Sequence, residues 1–320
     1  MPQPTAEVTH TLQVAADPRT VFDLIAEVTE APRHFSAHLH AEYLERGETQ
    51  DVFQRWSVER DQETIRTWTA RRRLDREALT ITFEHETPKP PVSSMRGEWK
   101  LTPQADGTTS VEISHHFSVV GDDPETLKWA SAGLDRNVQG QLEQTKAIAE
   151  RWAELQELTL EHEESLLVHG SLDDVYGFLY EAGAWPERLP HIAATEVKEE
   201  APGLQIVDMT VEGRDGIAQR TRSARVCVPG KLIVHKQVLG LPPLLDVMLG
   251  SCDFAETADG VLVTARQTIV IKESAIEEKL GAGATVADAR VHLTKVLQDG
   301  VLSSVRHAKA YAEERASATV

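Results

Sequence analysis

Two cysteines, Cys227 and Cys252, are all that the 320 residues contain. No disulfide framework can support the fold, and without a CxxC pair or a Cys/His cluster at ligand spacing no structural zinc site is indicated. The thirteen histidines are scattered and no HExxH pattern occurs. The nearest approaches to a cluster are His115-His116 and the group His34, His38 and His40, but neighbours on a strand face opposite ways, so no bound metal is expected. Neither GxGxxG nor a P-loop motif is found, which leaves no sign of a dinucleotide or nucleotide site. Long apolar runs are also missing, since none approaches the roughly 18 to 20 residues of a membrane span. Residues 1–12 have neither the basic start nor the apolar stretch of a signal peptide, and a cytoplasmic protein is expected. Positive charge is in deficit: the formal net charge of −18 argues against nucleic acid and anionic membranes as partners.

What is present is an ordinary globular composition, 41% hydrophobic and 26% charged, in a chain long enough for two domains. The chain also repeats itself. Residues 10–35 lie over 165–189 at a shift of 154, so that Leu12 meets Leu166, Val14 meets Val168, Val21 meets Val175, Phe22 meets Tyr176 and Pro32 meets Pro186. After a one-residue deletion the shift becomes 153, and Arg72 meets Arg225, Met95 meets Met248, Gly97 meets Gly250 and Asp106-Gly107 meets Asp259-Gly260. A shared register over about 100 residues signals a duplicated unit.

Each copy has one order of elements. An alternating strand leads into an apolar-periodic helix with Asp17 or Ser171 as its N-cap. A short turn follows at EAPRHF or AWPERL, then several alternating strands, with the two Asp-Gly pairs as the strongest hairpin signals. A long amphipathic helix closes each copy, over about 125–157 and 285–315. Helices that do not alternate with strands exclude a doubly wound parallel sheet. The pattern predicts an α+β fold of two tandem domains, 1–157 and 158–320, each a curved antiparallel sheet gripping its C-terminal helix around an internal cavity.

Period-two logic orients the middle strand. Trp68, Ala70, Arg72 and Leu74 share one face, and Arg71 and Arg73 the other; Thr221, Ser223, Arg225 and Cys227 form the matching face of the second copy. The first set reads as inward, which places a guanidinium on an otherwise apolar face. Such a group must meet a carboxylate, backbone carbonyls, water or a ligand anion. A salt bridge to a neighbouring strand is one outcome and a catalytic site the other.

The segments AWPERLPHI (184–192), APRHFSAHL (31–39), TWTARRRLD (67–75) and RTRSARVCV (220–228), in this order of elements, resemble the START-like helix-grip family and within it the polyketide aromatase/cyclases. The resemblance covers nearly the whole chain twice. It implies that the Trp-Pro turn begins the pocket and that Arg72 and Arg225 point into it. The first copy departs from the pattern with Ala31 where the second has Trp185. The family's chemistry is aldol closure and dehydration of a polyketide. The didomain layout implies a ketoreduced chain closed between carbons seven and twelve, with no cofactor. It also implies an acyl carrier protein that presents the chain, and a minimal polyketide synthase and ketoreductase upstream.

An arginine can steady an enolate or alkoxide but cannot be the base. His191, then His235, are the expected proton carriers in the second copy, with His38 and His34 as the first-copy equivalents and Ser223 and water as rivals. Trp185, Trp68, Thr221, Phe35, Met95 and Met248 complete the expected substrate walls, and the second copy is expected to be the working one. Arg71, Arg73, Arg220 and Arg222 are basic spots that could receive the carrier protein. The competing readings are a non-catalytic START-like module that shelters a lipid or metabolite, and a co-chaperone-type interaction protein; fold does not decide among them.

Overall fold

A computed structural model describes residues 5–212 and 218–318. The chain divides into two compact units, one of residues 1–56 with 67–155 and the other of 57–66 with 156–320.

The first unit starts with strand β1 (Ala6–Val14), helix α1 (Pro18–Ala26) and the single turn α2 (Ala31–His34). Strands β2 (His38–Arg46), β3 (Gln50–Val58), β4 (Ile65–Asp75), β5 (Thr80–His85), β6 (Val92–Pro103) and β7 (Thr109–Val119) follow, then helices α3 (Pro124–Glu150) and α4 (Trp152–Leu158). The sheet order is β1-β7-β6-β5-β4-β3-β2, so the first strand returns beside the last. Alternation does its expected work on β7, whose Val111, Ile113 and Phe117 are fully buried. These residues meet Val138, Leu142 and Ile148 of α3 in the principal core.

The second unit repeats the plan with β8 (Thr159–Val168), α5 (Leu172–Tyr180), α6 (Trp185–Arg188), β9 (Ile192–Ala201), β10 (Leu204–Glu212), β11 (Ala218–Val228), β12 (Leu232–Leu239), β13 (Leu245–Thr257), β14 (Gly260–Ile271), α7 (Ile276–Leu280), α8 (Val286–Gly300) and α9 (Ser303–Ala318). Its sheet order, β8-β14-β13-β12-β11-β10-β9, is that of the first. The α+β helix-grip architecture expected from the repeat is therefore present twice. Among the described residues no helix is long and apolar enough to cross a membrane.

Local signals explain the boundaries. Asp17 caps α1 by accepting from the Arg19 amide at 2.8 Å, and Ser171 caps α5 through the Asp174 amide at 3.1 Å. Asp123 does the same for α3, with Pro124 in the first turn where its missing N–H costs nothing. Both Asp-Gly pairs lie at hairpins, β6–β7 and β13–β14.

One expectation is corrected: neither closing helix is continuous. Arg151 leaves helical values (φ −110°, ψ 18°) and separates α3 from α4, so that Trp152 and Leu155 pack on the core of the first unit. In the second unit α8 ends at Gly300, a residue that weakens helix interiors by about 1 kcal/mol, and Leu302 drops into the core before α9 begins.

Candidate functional site

Strand β4 sends Ala70, Arg72 and Leu74 inward and leaves Arg71 and Arg73 exposed, as period two requires. The Arg72 side chain is committed on all but one of its N–H groups. Its Nε and Nη2 grip Asp51 Oδ1 and Oδ2 of β3 at 2.9 and 2.7 Å, while Nη1 and Nη2 donate to the carbonyls of Ile25 and Ala26 at 3.1 and 2.7 Å. Those carbonyls belong to the last turn of α1, where a cation also meets the negative end of the helix dipole. Arg225 repeats the device at 2% exposure, donating to Leu179 O (2.6 Å) and Tyr180 O (3.3 Å) at the end of α5. Its strand partner is the neutral Gln205, reached at 2.8 Å from Nη1, in place of an aspartate. The arginine that recurs in both copies thus clamps the first helix of each domain to its sheet. Of the two outcomes foreseen for it, the geometry has the cross-strand ion pair at Arg72.

Between the sheet of the first unit and α3 lies a cavity of about 320 Å³. Five of the residues expected at a site meet there: Phe35, His38, Trp68, Arg72 and Met95. Residues the sequence reading did not assign to a site join them, notably Arg55 from β3, His85 from β5, His115 from β7, and Asn137 and Gln141 from α3. Trp68 stacks on His85 at 6.3 Å between centroids, and Phe83 meets His115 edge-on at 5.1 Å. Burial, then the charge of Arg55, lowers His85 to about 4; burial, then His85, lowers His115 to about 4. Both rings are therefore neutral near pH 7. The buried Nδ1 of His115 has no hydrogen-bond partner. His115 was legible only as half of a pair: it faces in while His116 faces out.

In the second unit Trp185, half-buried, donates from Nε1 to Phe178 O at 3.2 Å and lies under the Arg225 guanidinium at 4.9 Å. Thr221, Ser223 and Arg225 share the buried inner face of β11. His235 is the register partner of Arg225 and packs over Gly250; burial, then Arg225, lowers it to about 4. Met248 lies on β13 opposite Ile269. His191 does not join this group: it is exposed in the turn before β9, where Ile192 takes the inward place. Its assignment as the leading proton carrier is corrected accordingly.

On the outer face of the first sheet Arg71, Arg73, Arg96 and His116 line a shallow depression with Glu84 and Glu98. Arg71 is engaged by Glu86 and Glu45, and in the second unit Arg222 is held by Asp208.

Fold and cavity together define a tandem helix-grip protein whose first domain encloses a polar-and-aromatic hollow. The family described as polyketide cyclase/dehydrase and lipid transport matches residues 5–150. The actinorhodin polyketide synthase bifunctional cyclase/dehydratase of Streptomyces coelicolor is 39% identical over 315 residues, 95% of this chain and 96% of that one. The granaticin polyketide synthase bifunctional cyclase/dehydratase of Streptomyces violaceoruber is 36% identical over 99% of this chain and 97% of its own. Among solved structures, the di-domain ARO/CYC StfQ from the steffimycin biosynthetic pathway superposes with a TM-score of 0.86 at 39% identity, covering 97% of this chain and 99% of that one. BexL, the di-domain ARO/CYC from the BE-7585A pathway, gives 0.85 at 34% identity over 96% and 99%. The chain belongs to the polyketide cyclase/dehydratase family and is an enzyme of that family.

Proposed function

We propose that this enzyme takes a ketoreduced poly-β-ketone from an acyl carrier protein, closes its first ring between carbons seven and twelve by aldol condensation, and dehydrates that ring towards aromaticity. The supporting observation is the cavity of the first domain, in which aromatic walls, two neutral imidazoles and guanidinium groups converge. Closure needs a base to remove a proton from the methylene carbon, a C–C bond from the resulting enolate to the ketone carbon, and a proton delivered to the alkoxide so formed. Dehydration then removes a proton and the hydroxyl as water. The imidazoles of His85 and His115 are side-chain proton acceptors on this wall, and cations nearby lower the energy of both oxyanions. Walls formed by Trp68, Phe35 and Met95 favour one folded conformer of a flexible chain, and orientation of this kind is worth several kcal/mol.

This reading places turnover in the first domain, although the Trp-Pro element had directed the expectation to the second. A module that only shelters a lipid would have little use for an inward charge without a protein partner, and the cavity wall carries one. The test is reconstitution with a minimal polyketide synthase and ketoreductase. The enzyme reading expects products with an aromatic first ring when the protein is added, and an unchanged spectrum of shunt products would overturn it.

A further inference from the structure

Arg55 is the group that the fold does not explain. It lines the cavity from β3, its guanidinium lies 5.0 Å over the Phe53 ring, and its Nε is buried without a hydrogen-bond partner. No carboxylate is among the charges acting on it; Arg72 opposes its protonation and Tyr43 favours it. Burial, then Arg72, lowers it to about 9, which still leaves it cationic at neutral pH. Arg55 is half-buried, and a cation turned into a cavity with no protein partner loses hydration that nothing in the fold returns.

The repeat sharpens the contrast between the two arginines. Asp51 and Gln205 occupy equivalent places, each bonded to the clamp arginine of its own domain. Four residues along the same strands stand Arg55 and Met209. The clamp is needed by both domains and is present in both. The second domain folds with methionine at the other position, so architecture does not demand the arginine there.

Building on the cyclase reading, we infer that Arg55 is the catalytic residue that holds the substrate's developing oxyanion, and that Arg72 is a positioning residue with four of its five N–H donors spent on Asp51 and α1. The ligand chemistry is an enolate or alkoxide of a β-ketone, or the phenolate of the aromatised ring, next to aromatic walls. The Nε donor of Arg55 is unoccupied and its guanidinium lines the cavity, with a forked geometry that an ammonium cannot reproduce.

The test substitutes Arg55→Met, the second domain's own residue, with Arg55→Lys as a companion. Turnover of the carrier-bound chain is read by product analysis, and binding is read by calorimetry with 1-hydroxy-2-naphthoate and its neutral methyl ester. Arg55→Met is expected to lower kcat about 100-fold or more, the scale of losing an oxyanion donor. It should weaken naphthoate binding at least tenfold, leave ester binding within about twofold, and keep or raise the melting temperature. Arg55→Lys should recover naphthoate binding better than turnover. Retained kcat in Arg55→Met, equal loss of both probes, or a melting temperature lowered in step with activity would each overturn the assignment. Failure of the wild-type protein to cyclise any chain, with selective loss of naphthoate binding in Arg55→Met, would instead overturn the cyclase reading and leave Arg55 as an anion site.

Discussion

The Arg72–Asp51 pair is the interaction at residue scale with the largest stake in folding. Both side chains are 5% exposed, and the pair is bidentate with carbonyl acceptors on two of the three remaining N–H donors. Removing one member strands the other charge in the interior, so Asp51→Asn and Arg72→Gln should each cost about 3–5 kcal/mol. Urea unfolding of the two variants measures this, and a loss below about 1 kcal/mol would show that the pair is solvated. The cavity histidines give a pH signature. Their folded values, about 4, lie below the ordinary 6.5, so the unfolded chain binds more protons between these limits. Stability from keeping the rings neutral is complete above about pH 6.5 and is lost as the pH falls through about 4. Unfolding midpoints collected over that window should decline in the wild type and decline less in His115→Gln. The inward turn of the duplicated arginine was readable because Trp68, Ala70 and Leu74 flank it at period two. Its partner was not, because Asp51 arrives through the register of another strand. Arg55 was hidden for a related reason: Asp51, Phe53 and Arg55 mix charge and apolar surface on one face of β3, so alternation alone does not say which face is inside.

At the scale of elements, sheet curvature and cavity shape depend on close approaches that only glycine permits. A methyl group at Gly97 would lie 2.2 Å from Ser114 O and 2.4 Å from Phe83 Cζ. One neighbour is backbone and the other a cavity wall. Gly97→Ala should therefore destabilise by about 1–3 kcal/mol and push Phe83 towards the cavity. Thermal unfolding and naphthoate affinity check both effects, and a variant unchanged in each would contradict the packing described. The equivalent Gly250 makes room for His235, with a methyl 2.4 Å from its Cε1. The glycine match across copies thus has a steric cause, although in the sequence it was visible only as a coincidence of register. The run of strands and the capped helix starts were legible from alternation and from Asp17 and Ser171. The breaks at Arg151 and after Gly300 were not, because helical periodicity continues on both sides while tertiary packing decides the direction of the next turn.

For the whole molecule, duplication has produced two domains of one design that differ at the cavity wall: Arg55 and Trp68 in the first stand where Met209 and Thr221 stand in the second. The acidic carrier protein proposed as partner calls for a local reversal of sign on a protein of net charge −18. Arg73 and Arg96, in the depression on the outer face of the first sheet, are the proposed place for it. Replacing both with glutamate should raise KM for a carrier-bound chain by about tenfold, with kcat unchanged and with small thioester substrates unaffected. Equal effects on both substrates would remove the carrier from this surface. The account turns on which hollow the chain enters, and filling that hollow tests it most directly. Ala70 lines the cavity at 2% exposure, so Ala70→Phe occupies its floor at a packing cost of about 1–3 kcal/mol. Products of the reconstituted pathway are then compared for Ala70→Phe and Arg225→Gln, both shown to be folded by circular dichroism. The expected result is loss of the aromatic first ring with Ala70→Phe and its retention with Arg225→Gln. The opposite pattern, or normal aromatisation with the first cavity filled, would contradict the account.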